Sequence, residues 1–153
     1  KEESDMYSVM ARVCIGMTND KMAQEYFQRA VKLLEGTDDV REMSRLSTIY
    51  GEYMSFYINR NRMAEAIEIG YRRETVIQRM SGLPGPPPGY IDQQYGFLYA
   101  KMAVLLHDEG KKEEATEIFR KYQSTSFSKT LIGKQYSVPY LLNINQYAES
   151  GSS

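Results

Sequence analysis

The chain has 153 residues, with 19 Lys and Arg against 20 Asp and Glu for a net charge of −1. That length fits one domain with a sizeable core, and the charge balance gives no overall basic field of the kind that draws proteins onto phosphate backbones or anionic lipid. No apolar run approaches the roughly 20 residues that span a bilayer, and the single cysteine, Cys14, excludes an internal disulfide.

In chain order, apolar residues first recur at helical spacing from Asp5 to Gly16, with Met6, Val9, Met10, Val13 and Met17 on one stripe. Cys14 lies on that stripe and reads as a small core residue. Thr18, Asn19 and Asp20 break the pattern. A second helix is predicted over 21–35, carrying Ala23, Phe27, Ala30, Val31 and Leu34 at three- and four-residue spacings, and Gly36 stops it. Thr37 or Asp38 can cap the helix predicted over 39–59, because a short polar side chain accepts a bond from a free backbone amide. Its apolar face is Met43, Leu46, Ile49, Tyr50, Tyr53, Met54 and Tyr57.

Asn59, Arg60 and Asn61 form the next turn, ahead of a helix predicted over 62–80 with Ala66, Ile67, Ile69, Gly70, Tyr71, Val76 and Ile77 as burial candidates. The arginines here, including Arg72, Arg73 and Arg79, alternate with Glu65, Glu68 and Glu74, which reads as a solvated face rather than a phosphate site. Residues 81–89, SGLPGPPPG, must be a loop, since consecutive prolines remove amide donors. It serves as a stiff spacer or, alternatively, as a polyproline ligand for an aromatic groove.

A helix over 91–109 presents Tyr95, Leu98, Tyr99, Met102, Ala103, Leu105 and Leu106 before Gly110 ends it. A shorter one over 111–122 follows, through Ala115, Ile118, Phe119 and Tyr122, and the polar run 123–130 reads as a connection. The last helix is predicted over 131–147, where Pro139 either kinks or divides it or marks its true first turn. The ending GSS reads as a tail.

Three alanine-centred blocks, around Ala23, Ala66 and Ala115, each follow an aromatic-rich helical stretch and a short polar break. In the first unit Tyr7, Met10, Ala11 and Cys14 precede Ala23, Phe27 and Ala30; in the third, Tyr99, Met102, Ala103 and Leu106 precede Gly110, Ala115, Phe119 and Tyr122. The pattern resembles the tetratricopeptide repeat. The middle unit departs from it, with Gly70 and Arg73 where a large apolar and a small residue are expected, and the alanine landmarks stand farther apart than the roughly 34 residues of the regular repeat. The resemblance implies an all-α, right-handed superhelical stack of antiparallel helix hairpins, about seven helices, as one domain over 1–148 with units near 4–37, 38–82, 90–130 and a partial 131–148, then a tail over 149–153. Its structural positions are Tyr7, Ala23, Phe27, Ala30, Tyr50, Ala66, Tyr99, Gly110, Ala115 and Phe119. The long, tyrosine-rich units are also similar to the sensor regions of bacterial signal-transduction regulators, where repeats precede a kinase or DNA-binding output; a first residue of Lys rather than Met suits a piece of a longer or processed precursor. Compartment stays open between cytoplasm and periplasm.

The resemblance implies a non-catalytic module that binds a protein or peptide segment in its concave groove, without nucleic acid or membrane as partner. Groove candidates are Arg12, Thr48, Ser55, Asn59, Phe97, Ala100, Lys101, Val104 and His107, a mix of polar and apolar residues suited to an extended peptide or short helix. No cofactor or metal is expected: His107 is the only histidine, no thiol has a base beside it, and no zinc spacing or phosphate-cradling glycine loop occurs. A competing reading is a small-molecule sensor whose pocket lies between the tyrosine-bearing helices. A last helix without a following partner also leaves an apolar face for self-association.

Overall fold

The computed structural model describes residues 2–149 and is all-α, with no strand among them. Its helices are α1 (Glu2–Gly16), α2 (Asp20–Leu34), α3 (Val40–Asn59), α4 (Met63–Ser81), α5 (Tyr90–Asp108), α6 (Lys112–Gln123) and α7 (Leu131–Glu149), with a 3-10 turn at Phe127–Lys129. No described helix is long and apolar enough to cross a membrane. α7 passes through Pro139 as one helix. Of the expected tail, only Glu149 is described.

The chain divides into two compact units, Lys1–Pro86 and Pro87–Ser153, where the sequence suggests a single domain. The break falls among the prolines of the 82–89 loop, which supply no amide for a helix to continue across.

In the first unit α1 pairs with α2, α2 packs on α3, and α3 pairs with α4. Ala23 and Ala30 of α2 are fully buried, so the α1 and α3 backbones come close, and Phe27 between them stacks on Tyr53 at 5.0 Å and leans on Phe56 at 5.8 Å. Burying a side chain of that size stabilises by about 1.5–3 kcal/mol. Arg73, out of pattern for a small residue, is accommodated because its Nε donates to Ser47 Oγ at 3.1 Å, a side chain wholly buried on α3. In the second unit α6 and α7 both pack on α5 or on the 3-10 turn beside it, around Leu98, Met102, Leu106, Tyr122 and Tyr140.

One turn recurs in all three hairpins. Asn19 N bonds to Cys14 O at 2.8 Å, Arg62 N to Tyr57 O at 2.9 Å and Lys111 N to Leu106 O at 2.9 Å, each enclosing a tighter turn that the preceding residue closes with its own bond at 3.0 Å. Those preceding residues, Thr18, Asn61 and Gly110, all hold positive φ, at 59°, 58° and 78°. This is the Schellman closure. In each case the alanine landmark lies four residues on and donates back to the last turn residue: Ala23 to Asn19, Ala66 to Arg62 and Ala115 to Lys111.

Two expectations fail. Met6, Val9 and Val13, a core stripe by their spacing, are the exposed face of α1, with exposed Met17 just past its end, and the helix instead buries Ser4, Ser8 and Ala11. The reason is close packing: three small residues let α1 settle against its neighbours, and a helix can offer only one such face. Phe127, within a run read as a mere polar connection, is a buried anchor.

Candidate functional site

A polar row runs along α3 through Arg41, Arg45, Thr48, Glu52, Ser55 and Asn59, at three- and four-residue spacings. It faces the Asp5, Ser8 and Arg12 side of α1, and the two edges enclose an open cleft of about 340 Å³. A second depression of about 190 Å³, reaching Ser55 and Asn59, continues from it and shares Arg12 and Glu52. Two ion pairs span the cleft: Arg45 Nε to Asp5 Oδ1 at 3.1 Å, and Arg12 Nε to Glu52 Oε2 at 3.5 Å.

The floor holds two buried polar atoms without a hydrogen-bond partner among the described residues, Ser8 Oγ and Glu52 Oε2. Glu52 is thus attracted to Arg12 by charge without receiving an aligned proton from it. A buried hydroxyl left without a hydrogen bond, as Ser8 Oγ is, costs about 1–3 kcal/mol, and a donor brought by a ligand removes that cost. Arg41 adds an exposed guanidinium at the rim, whose planar fork suits a carboxylate or carbonyl on the same ligand.

Of the groove candidates, Arg12 and Thr48 line the cleft, and Ser55 and Asn59 line the adjoining depression that shares Arg12 with it. The five from α5 belong to the other unit and differ among themselves. Ala100 is buried and offers no surface to a partner, because α5 is covered on that side. Phe97 is half-buried in an aromatic cluster, 4.8 Å from Phe127 and 5.2 Å from Tyr136. Its ring takes part in that packing while part of it stays accessible. His107 sits edge-on to Tyr140 at 6.1 Å beside a small depression of about 210 Å³. Lys101 is exposed and Val104 half-buried.

Asp5, Ser8, Arg41, Ser44, Arg45 and Glu52 line the cleft without being singled out in sequence. A signal for them exists: on a helix as apolar as α3, polar residues at 41, 44/45, 48, 52, 55 and 59 keep one face wet.

On another face of the same unit, α2, α3 and α4 frame a pocket of about 420 Å³. Tyr53 and Tyr57 form its floor, their hydroxyls 3.0 Å apart, with Val31 and Ile69 as apolar walls and Lys32, Glu35 and Arg72 among its charged lining. Burial, with the hydrogen bond to Tyr53 next in weight, pushes the Tyr57 phenol well above its ordinary range. Among the described residues no group of three or more His, Cys, Asp or Glu is placed to hold a metal ion.

Comparison with protein-family models, with curated proteins and with solved structures finds no match for this chain.

Proposed function

We propose that this protein is a tetratricopeptide-like recognition module of a larger regulatory protein, and that it holds a peptide segment along the α1–α3 cleft rather than transforming it. The observation that carries this reading is two buried oxygens on the floor of an open polar cleft that receive no hydrogen bond among the described residues, Ser8 Oγ and Glu52 Oε2, the second facing Arg12 only as an ion pair. An extended peptide supplies backbone N–H donors to such oxygens, and its carbonyls or acidic side chains find Arg41. The repeated hairpin closure with alanine four residues beyond supports the repeat-like architecture.

Selection of a displayed random-peptide library tests the reading. Enriched peptides are expected to lose binding to Thr48→Arg, which fills the cleft from an exposed position and leaves the melting temperature unchanged. An empty selection, or peptides indifferent to that change, would count against it.

The tyrosine-floored pocket favours a second reading, a small-molecule sensor. One hydroxyl of the Tyr53–Tyr57 pair donates to the other, leaving a single phenolic proton for a ligand acceptor. Thermal-shift screening of metabolites separates the readings, because a ligand of the folded state raises its stability by mass action. A hit abolished by Tyr57→Phe would favour the pocket.

A further inference from the structure

The α1–α3 cleft is uneven in charge along its length. Arg12, Arg41 and Arg45 stand against Asp5 and Glu52 in its lining, which leaves one positive charge in excess. Arg45 pairs with Asp5 and Arg12 with Glu52, so the surplus belongs to Arg41, exposed in the first turn of α3 with no ion pair among the described residues. The other end differs in chemistry. Beyond the Arg12–Glu52 pair, the adjoining depression of about 190 Å³ has Ile15, Phe27 and Phe56 in its lining. Its cations are already held, since Arg60 bonds Asp20 at 2.8 Å and lies 4.8 Å from the centre of the Phe56 ring. Between the two ends, Ser8, Ser44 and Thr48 present only short polar side chains.

We propose that the peptide held here carries an acidic side chain for Arg41 and, six or seven residues away, a large apolar one for the depression; this rests on the peptide-binding reading and names the class of its ligand. The spacing follows from helix geometry. Phe56 stands fifteen positions after Arg41 on α3, about 22 Å of helix, and an extended chain covers that distance in six or seven residues at about 3.3 Å each. A guanidinium without a partner favours a carboxylate, because its planar fork offers two parallel hydrogen bonds. An apolar floor favours a side chain that has no hydrogen bond to lose on burial. A basic side chain is opposed at both ends by like charge, from Arg41 at one and from Arg12 and Arg60 at the other.

Fluorescence anisotropy with the full chain, on peptides enriched from the random library, tests it. Those that lose binding to Thr48→Arg are expected to share the acidic and apolar residues at that spacing. Arg41→Glu places an acid in the first turn of α3, where the helix start favours it. That variant should bind such a peptide about tenfold more weakly, and replacing the peptide's acid with lysine should restore binding to it. Replacing the peptide's apolar residue with serine should weaken binding to the wild type about tenfold or more. Peptides that respond to Thr48→Arg but lack the acidic and apolar pair, or that bind Arg41→Glu as tightly as the wild type, would overturn this inference and leave the peptide-binding reading intact. An empty selection, or peptides indifferent to Thr48→Arg, would overturn both.

Discussion

Thr18 holds φ at +59°, in a region where a β-branched side chain is strained, while the equivalent turns use Asn61 and Gly110. Thr18→Gly is therefore expected to stabilise the first unit by about 1 kcal/mol; an unchanged or lower melting temperature would contradict the shared turn. Gly96 and Gly133 bear the opposite constraint. A Cβ at Gly96 would run into the Phe127 ring and one at Gly133 into the Phe127 carbonyl and Ser128 backbone, so Gly96 seats the ring and Gly133 seats the turn that carries it. Gly96→Ala should cost about 1–3 kcal/mol by overpacking, read from chemical denaturation. Neither seat is legible in sequence, because a glycine that admits a close neighbour looks like any other helix glycine.

The buried phenols of Tyr50, Tyr57 and Tyr122 set an alkaline limit. Desolvation is the largest cause in each and raises all three above their ordinary 10.0. For a group raised on folding, the stability it contributes is whole below the unfolded value and is lost as pH rises through the folded one. Stability should therefore fall above about pH 10. Phenolate absorbance followed together with helicity checks this: the last tyrosines should ionise as the helices melt, and ionisation of all 13 in a chain still fully helical would refute it. Asp20 acts at the other extreme. The hydrogen bonds from Arg60, at 2.8 and 3.1 Å, hold its carboxyl below the ordinary 3.8, so that contribution disappears as pH falls through the acid range.

At the level of elements, helix boundaries followed from local chemistry. Asp39 caps α3 by accepting from Arg41 N at 2.8 Å, one residue beyond the expected Thr37 or Asp38. Thr37 backs it, accepting from Asp39 N at 3.2 Å and donating to Glu42 Oε1 at 2.6 Å. Asp39→Ala should cost about 0.5–2 kcal/mol, measured by thermal melting. The 3-10 turn is different. Its anchor depends on Asp92, whose carboxylate accepts from Ser126 N at 2.9 Å and Phe127 N at 2.8 Å from 34 and 35 residues away. A partner that distant in the chain leaves no local trace, so a Ser- and Thr-rich run hid a buried phenylalanine. The α1 stripe misled for a related reason: periodicity locates the apolar face of a helix, and only the neighbours decide whether that face is covered.

Across the whole molecule, the chain forms two compact units divided within the loop after α4. Leu83 is exposed there, outside any helix. Thermolysin, which cuts ahead of large apolar residues, should cleave first between Gly82 and Leu83, since a backbone outside helices meets a protease without prior unfolding. First cuts within α3 or α5 would argue against that division.

Residue order by itself determined the all-α class, the hairpin turns and the placement of the alanines, because propensity, capping and helical spacing act over a few neighbouring residues. Tertiary structure decided which side of α1 is buried, where Phe127 goes, and that Arg12, Thr48, Ser55 and Asn59 line two adjoining depressions while Ala100 is buried in packing. Those outcomes depend on distances between segments far apart in the chain, which no local pattern encodes.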